Sequence, residues 1–122
     1  MAFPKGVLTL IAGTNVTITN PNGPTATINA SGGGLTVTAE AATFAAVASH
    51  FYYCDTTGGA IVATLPAPAN GAQVIVKLVA GIATVTLTQH AAELIDGAAT
   101  QVVNTLYQTV SVISDGTNWW VI

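Results

Sequence analysis

The sequence predicts an all-β chain: an antiparallel β-sandwich or barrel, jelly-roll-like, over residues 35–122, behind an N-terminal extended β arm. Three observations carry that expectation. Short segments of alternating apolar and polar residues recur at spacings of roughly 8–12 residues, as in small antiparallel sandwiches. Clusters of Gly, Pro, Asn and Asp separate them. Charged residues make up 6 % of the 122 residues, against 51 % hydrophobic. A soluble domain ordinarily carries about 25 % charged residues. So sparse a charge leaves little to keep copies apart, and the expected outcome is that much of the surface is covered in an oligomer or a membrane.

Distribution argues against the membrane. A spanning helix needs roughly 20 consecutive apolar residues, and here Thr, Asn, Ser or Gly interrupts every apolar run within a few positions. Pro4 and Gly6 stand where the apolar helix of a signal peptide would begin. Outer-membrane barrels have longer strands and aromatic girdles, and aromatics are 7 % here. Net charge is −3, and Lys5 and Lys77 are the only strong bases. A nucleic-acid partner, which needs a clustered basic face, is therefore not expected. Cys54 is the single cysteine, so no intrachain disulfide forms.

Residues 1–34 read as three short strands and a linker. Val7–Ile11 is the first strand, and Ala12–Asn15 a turn. Val16–Thr19 sets Val16 and Ile18 opposite Thr17 and Thr19, and Asn20–Pro24 is dense in breakers. Thr25–Asn29 alternates again, with Ala26 and Ile28 on one face. Leu8, Leu10, Val16, Ile18 and Ile28 are the candidate interface or core residues of this arm. Faces so narrow cannot make a core alone. Ser31–Gly34 is a flexible linker; no Lys-Ser/Thr follows it to make a phosphate-binding loop.

The second domain begins with an alternating strand at Leu35–Ala39. The alanine-rich stretch 39–48 fits either a short helix or an irregular lead. His50–Cys54 is an aromatic strand suited to burial on both sides or at an interface. Ile61–Leu65 turns Ile61, Ala63 and Leu65 to one face. After Pro66–Gly71, with its Asn70-Gly71 turn pair, Val74–Val79 turns Val74, Val76 and Leu78 inward. The other face of that strand, Ile75, Lys77 and Val79, is mostly apolar and expected to be covered. Gly81 ends the strand. Val85 and Leu87 alternate with threonines, Leu94–Gly97 turns the chain, and Val110 and Val112 alternate before the last turn, Asp115–Asn118. No repeat of fixed period is visible. The terminal strand should split its tryptophans: Trp120 and Ile122 on one face, Trp119 and Val121 on the other. One pair fills the core, and a neighbouring strand or subunit covers the other.

The candidate chemistry is thin. His50 and Cys54 would share a strand face and are possible zinc ligands, but no second pair lies nearby. A satisfied histidine and an inert packed cysteine are the expected reading, with no metal and no cofactor. Ser49, Ser111 and Ser114 accompany His50, His90, Asp55, Asp96 and Asp115 without a nucleophile elbow. A glycosidase pair would come from Glu40, Asp55, Glu93, Asp96 and Asp115; Asp96 and Asp115 precede glycines and read as turn formers. No catalytic residue is therefore expected. Asn15-Val-Thr17 and Asn29-Ala-Ser31 match the glycosylation sequon, a cheap match in a chain rich in Asn and Thr. Trp119 and Trp120 could stack on a sugar, though only one can face any ligand; core and subunit interface are the expected roles.

Residues about 50–122 resemble a module of tailed-phage virion proteins found in tail fibres, spikes and head appendages. The resemblance rests on Tyr53-Cys-Asp-Thr56, Ile61-Val-Ala-Thr-Leu-Pro66, Val76-Lys-Leu78, Val85-Thr-Leu87, Ile95-Asp-Gly97 and Val112-Ile-Ser-Asp-Gly-Thr-Asn-Trp119. Leu10–Ile18 and Gly23–Ile28 are similar to linking segments of trimeric phage fibres. The resemblance implies a homotrimer on the surface of a phage particle. Tail fibres usually carry a long N-terminal docking region, whereas about 34 residues stand here before the module. Either the chain is a fragment of a longer protein or it is a small complete virion protein; the latter fits a capsid decoration (cement) protein or short head fibre, its arm bound to the major capsid protein or another virion protein. A tail-fibre tip binding host surface glycan is the alternative, and a polysaccharide-degrading enzyme a third.

Overall fold

The computed structural model describes residues 34–122 in full and, before them, the backbone of two strands. Those two, β1 (Val16–Thr19) and β2 (Thr27–Ala30), form an antiparallel pair with Ile18 opposite Ile28 and Val16 opposite Ala30. Leu8, Leu10 and the strand expected at 7–11 lie outside the described residues. The pair and residues 34–122 fall in separate units.

The second unit is an all-β domain of two sheets. Its strands are β3 (Thr36–Glu40), β4 (Phe44–Ala45), β5 (His50–Asp55), β6 (Ile61–Thr64), β7 (Gln73–Ala80), β8 (Val85–Thr88), β9 (Thr100–Val103), β10 (Thr109–Ser114) and β11 (Trp119–Val121). A five-stranded sheet has the order β11-β10-β7-β5-β3, and a four-stranded one β4-β6-β8-β9. Inward residues alternate with outward ones as expected. Ile61, Ala63 and Leu65 from one sheet meet Val74, Val76, Leu78 and Val112 from the other, all at most 1 % exposed. Each of these valine, leucine and isoleucine side chains contributes about 1.5–3 kcal/mol when fully buried.

The expectation of an antiparallel, jelly-roll-like sandwich is corrected at the centre of the domain. β3, β5 and β7 pair in parallel, and so do β4, β6 and β8. From β3 to β8, successive strands alternate between the sheets, so the chain winds three times around the core. Parallel neighbours need a crossover, and here the strand in the opposite sheet is the crossover. Only afterwards does the winding reverse. β9 runs antiparallel to β8, β10 to β7 and β11 to β10. The Asn70-Gly71 turn, with Gly71 at φ 80°, is thus a corner between sheets and not a hairpin tip.

A spacing emerges that the sequence does not display. His50 pairs with Val74 and Ile61 with Val85, both 24 residues apart. The first winding is shorter, because β4 has only two residues. The alanine-rich stretch is irregular around β4, not helical. Phe44 lies 4.5 Å from Tyr52, ring centre to ring centre, and Ala46 is buried. A ten-residue helix is marginal without tertiary help, and small side chains suit the narrow corner instead. The strand at Thr100–Val103 was not anticipated; only its Val103 and Gln101 face inward.

Candidate functional site

The two Asp-Gly turns, far apart in sequence, are clipped together. Ile95 and Ala98 exchange backbone hydrogen bonds of 2.7 and 2.9 Å across Asp96 (φ 48°) and Gly97 (φ 80°). Two consecutive positive φ angles define a tight hairpin turn for which Asp-Gly is a preferred pair. That turn grips the terminal strand. Trp119 N–H donates to the Leu94 carbonyl (2.9 Å), Asp96 N–H donates to the Trp119 carbonyl (3.0 Å), and Val121 N–H donates to Asp96 Oδ1 (3.0 Å). Asn118 Oδ1 accepts the Leu94 N–H at 2.9 Å.

Asp115 organises the other turn. Its Oδ1 accepts the N–H groups of Thr117 and Asn118, both at 2.8 Å, and its Oδ2 accepts the Trp120 indole N–H at 2.8 Å. The Asn118 N–H first, then the Trp120 and Thr117 donors, hold this carboxyl below the usual range. Both aspartates are turn formers, as their glycine neighbours suggested.

The tryptophans separate as alternation requires. Trp119 is fully buried, the largest side chain in the core, while Trp120 is 46 % exposed. Val121 shares Trp119's face but sits at the sheet margin and stays exposed, so Trp119 alone fills the core. Among the described residues its indole N–H meets no hydrogen-bond acceptor.

Other polar side chains are engaged locally. Thr56, buried at the end of β5, donates from Oγ1 toward the carbonyls of Ala80 (3.2 Å) and Ala83 (3.1 Å). It sits beside a register shift in which Cys54 pairs with Leu78 but Asp55 with Ala80. The Asp55 carboxylate accepts the Thr57 N–H at 2.9 Å, and the Thr57 side chain, then its N–H, lower the Asp55 pKa. Glu93 accepts the N–H groups of His90 and Ala91. Burial pushes its carboxyl up, but these bonds, its own N–H and nearby His90 outweigh it and leave the pKa lowered. His50 and Cys54 share the inward face of β5 with Tyr52 between them. The His50 ring stacks on Tyr52 at 5.5 Å, with Nδ1 3.0 Å from the Ala48 carbonyl oxygen. Burial, then the Glu40 charge, pushes the Cys54 thiol up to about 11, the opposite of a reactive cysteine. Ser111 Oγ accepts from Gln73 Nε2 (3.1 Å) and Ser114 Oγ from the Gly116 N–H (3.0 Å). Among the described residues no pocket opens, and no three of His, Cys, Asp or Glu stand where they could share a metal ion.

What remains on the surface is a contrast between two outer faces. On the four-stranded sheet the register aligns Val62, Thr86 and Val102, then Ala45, Thr64, Thr88 and Thr100, a face dominated by threonine. On the five-stranded sheet one row runs straight across the strands as Val37, Phe51, Ile75 and Ser111, with Ile122 beside Ser111. A flanking row holds Ala39, Tyr53, Lys77 and Thr109, and the other holds Gln73, Ile113 and Trp120. Val37 is 59 % and Ile122 67 % exposed, and the Phe51 and Tyr53 rings touch at 4.9 Å. Lys77 is the only charged side chain in the three rows. Alternation had marked Ile75, Lys77 and Val79 as needing cover. It had not marked Val37, Phe51, Ile113 and Ile122 as their neighbours, because only strand order places them side by side.

No protein-family model matches the chain, and no curated protein matches it.

Proposed function

We propose that the chain is a structural protein of a phage particle: a homotrimeric capsid decoration (cement or head-fibre) protein that binds and stabilises the shell through its N-terminal arm. The observation that carries this reading is where the polar groups of the virion-like motifs are spent. Thr56, Asp96, Asp115 and Asn118 all bind backbone and hold turns. The same domain leaves a broad, charge-poor apolar face outward. That is the distribution of a building element, which needs stiffness and contact area. Leu8, Leu10, Val16, Ile18 and Ile28 are the proposed docking residues of the arm. Gold-labelled antibody on purified particles tests it: label spread over the shell supports decoration, and label confined to the tail, or none, contradicts it.

One observation favours a second reading, a fibre tip that binds host surface glycan. Trp120 is exposed and its indole N–H is held by Asp115, which fixes the ring for stacking on a sugar. Binding to host cells that Trp120→Ala abolishes would move the assignment there. Oligosaccharide released from host polysaccharide would move it to an enzyme.

A further inference from the structure

We infer that Asn70 is a site of spontaneous covalent modification, its side-chain amide passing to aspartate or isoaspartate, and that the turn at 115–118 gates the reaction. The inference stands on the corner between β6 and β7 and is independent of the virion assignment.

The reaction needs an asparagine side chain, a backbone nitrogen free to reach it, and water. Gly71 N attacks Asn70 Cγ. A nitrogen–carbon bond forms, the bond from Cγ to the side-chain nitrogen breaks, and that nitrogen leaves as ammonia with the proton of the Gly71 N–H. Water then opens the resulting succinimide ring at either carbonyl. Opening at one leaves aspartate. Opening at the other routes the main chain through the former side chain, which is isoaspartate. Nothing is oxidised or reduced, and each event adds a negative charge.

Asn70 is the asparagine of residues 34–122 that meets these needs. Its side chain is exposed, and the glycine after it has no side chain to crowd the attack. The other two, Asn104 and Asn118, precede Thr105 and Trp119, and Asn118 Oδ1 is held by the Leu94 N–H. The aspartates before Gly97 and Gly116 present an anion near neutral pH in place of an amide, a poorer target for a nitrogen nucleophile.

The folded corner restrains the attacking atom. Ala72 N–H donates to the Ala69 carbonyl at 2.9 Å, closing a turn with Asn70 and Gly71 at its centre. Gly71 N–H donates to the Ser114 carbonyl at 2.8 Å, and Ser114 N–H donates to the Ala72 carbonyl at 2.8 Å. Gly116 backs onto the asparagine: a Cβ there would stand 3.6 Å from Asn70 N and 3.7 Å from its Cβ. While these contacts hold, the Gly71 nitrogen cannot swing to Asn70 Cγ. The gate is therefore the end of β10 and the turn beyond it. Asp115 ties that turn through the N–H groups of Thr117 and Asn118 and the Trp120 indole. Exposed turns open locally far more often than a core unfolds, so conversion follows the opening of this turn. The product then loosens its own gate. A carboxylate at position 70 faces the Asp115 turn with like charge, and isoaspartate lengthens the main chain of the corner.

Incubation of the full chain near neutral pH, read by tandem mass spectrometry, tests this. Fragment masses separate Asn70 from Asn22, whose Asn-Gly pair lies outside the described residues. Asn70 should convert in the native protein, more slowly than in urea by about 10-fold or more. Asp115→Ala removes the three ties and should speed native conversion on the order of 10-fold. Trp120→Phe removes only the indole donor and should give a smaller step in the same direction. Val103→Ala thins the core at β9, away from the turn, and should leave the rate unchanged. Circular dichroism shows which variants are folded. Conversion as fast in native wild type as in urea overturns the gate, and so does equal acceleration by Val103→Ala. A native rate indifferent to both Asp115→Ala and Trp120→Phe overturns it as well. Asn70 left intact in native Asp115→Ala overturns the site itself.

Discussion

Gly81 shows how much one residue can decide. It has φ 88°, and a Cβ there would collide with the Thr56 carbonyl carbon and Oγ1 and lie 2.5 Å from the Thr57 nitrogen. The obstacle is backbone, and Thr56 is itself pinned to Ala80 and Ala83. Gly81→Ala should therefore lose about 3 kcal/mol or more, combining strain at positive φ with overpacking, as urea denaturation would show. The two tryptophans should behave oppositely. Trp119→Ala empties the centre of the core and should cost about 3–5 kcal/mol. Trp120→Ala, on an exposed face, should cost under about 1 kcal/mol in the monomer. Equal losses at the two positions would contradict the split that alternation predicts. That split was legible in two adjacent letters. The collision at Gly81 was not, since Thr56 approaches it only after the chain has wound back.

At the scale of elements, the clip between the turns at 95–98 and 115–118 holds the last strand in place. It makes stability depend on acid. The carboxyls of Asp115, Asp55 and Glu93 titrate lower in the folded chain than in the unfolded one. Their contribution is complete above the unfolded pKa and is lost as pH falls through the folded values. The melting temperature should hold steady from pH 7 to about 5 and drop below about 4. Asp115→Asn should flatten that drop; an unchanged acid limb would place the sensitivity elsewhere. Cys54 acts in the opposite sense. Its folded pKa is raised to about 11 from 9.0, so its contribution is complete below pH 9 and is lost as pH rises toward 11. Native protein should resist iodoacetamide near neutral pH, and rapid alkylation would show that β5 opens.

For the whole molecule, the three windings and the reversed return explain why an antiparallel sandwich was expected and mixed sheets were found. The 24-residue spacing relates His50 to Val74, Phe51 to Ile75, Tyr52 to Val76 and Cys54 to Leu78. Those pairs share no identity. Among the partners of β6 and β8 only Thr64 and Thr88 coincide. The rungs agree in which positions are buried, and that leaves too faint a pattern to see as a repeat. The winding also brings Val37, Phe51, Ile75 and Ile122, drawn from four distant segments, into one apolar row.

Period-two alternation depends only on which side of a strand faces the core. The sequence by itself therefore determined the class of secondary structure, the inward residues of β6, β7, β8 and β10, the aspartate turns and the parting of Trp119 from Trp120. Alternation is the same for parallel and antiparallel neighbours, and backbone hydrogen bonds carry no side-chain signature. Strand order, parallel pairing, the clip between the turns and the uncovered apolar face were decided only in the tertiary structure, where segments distant in sequence become neighbours.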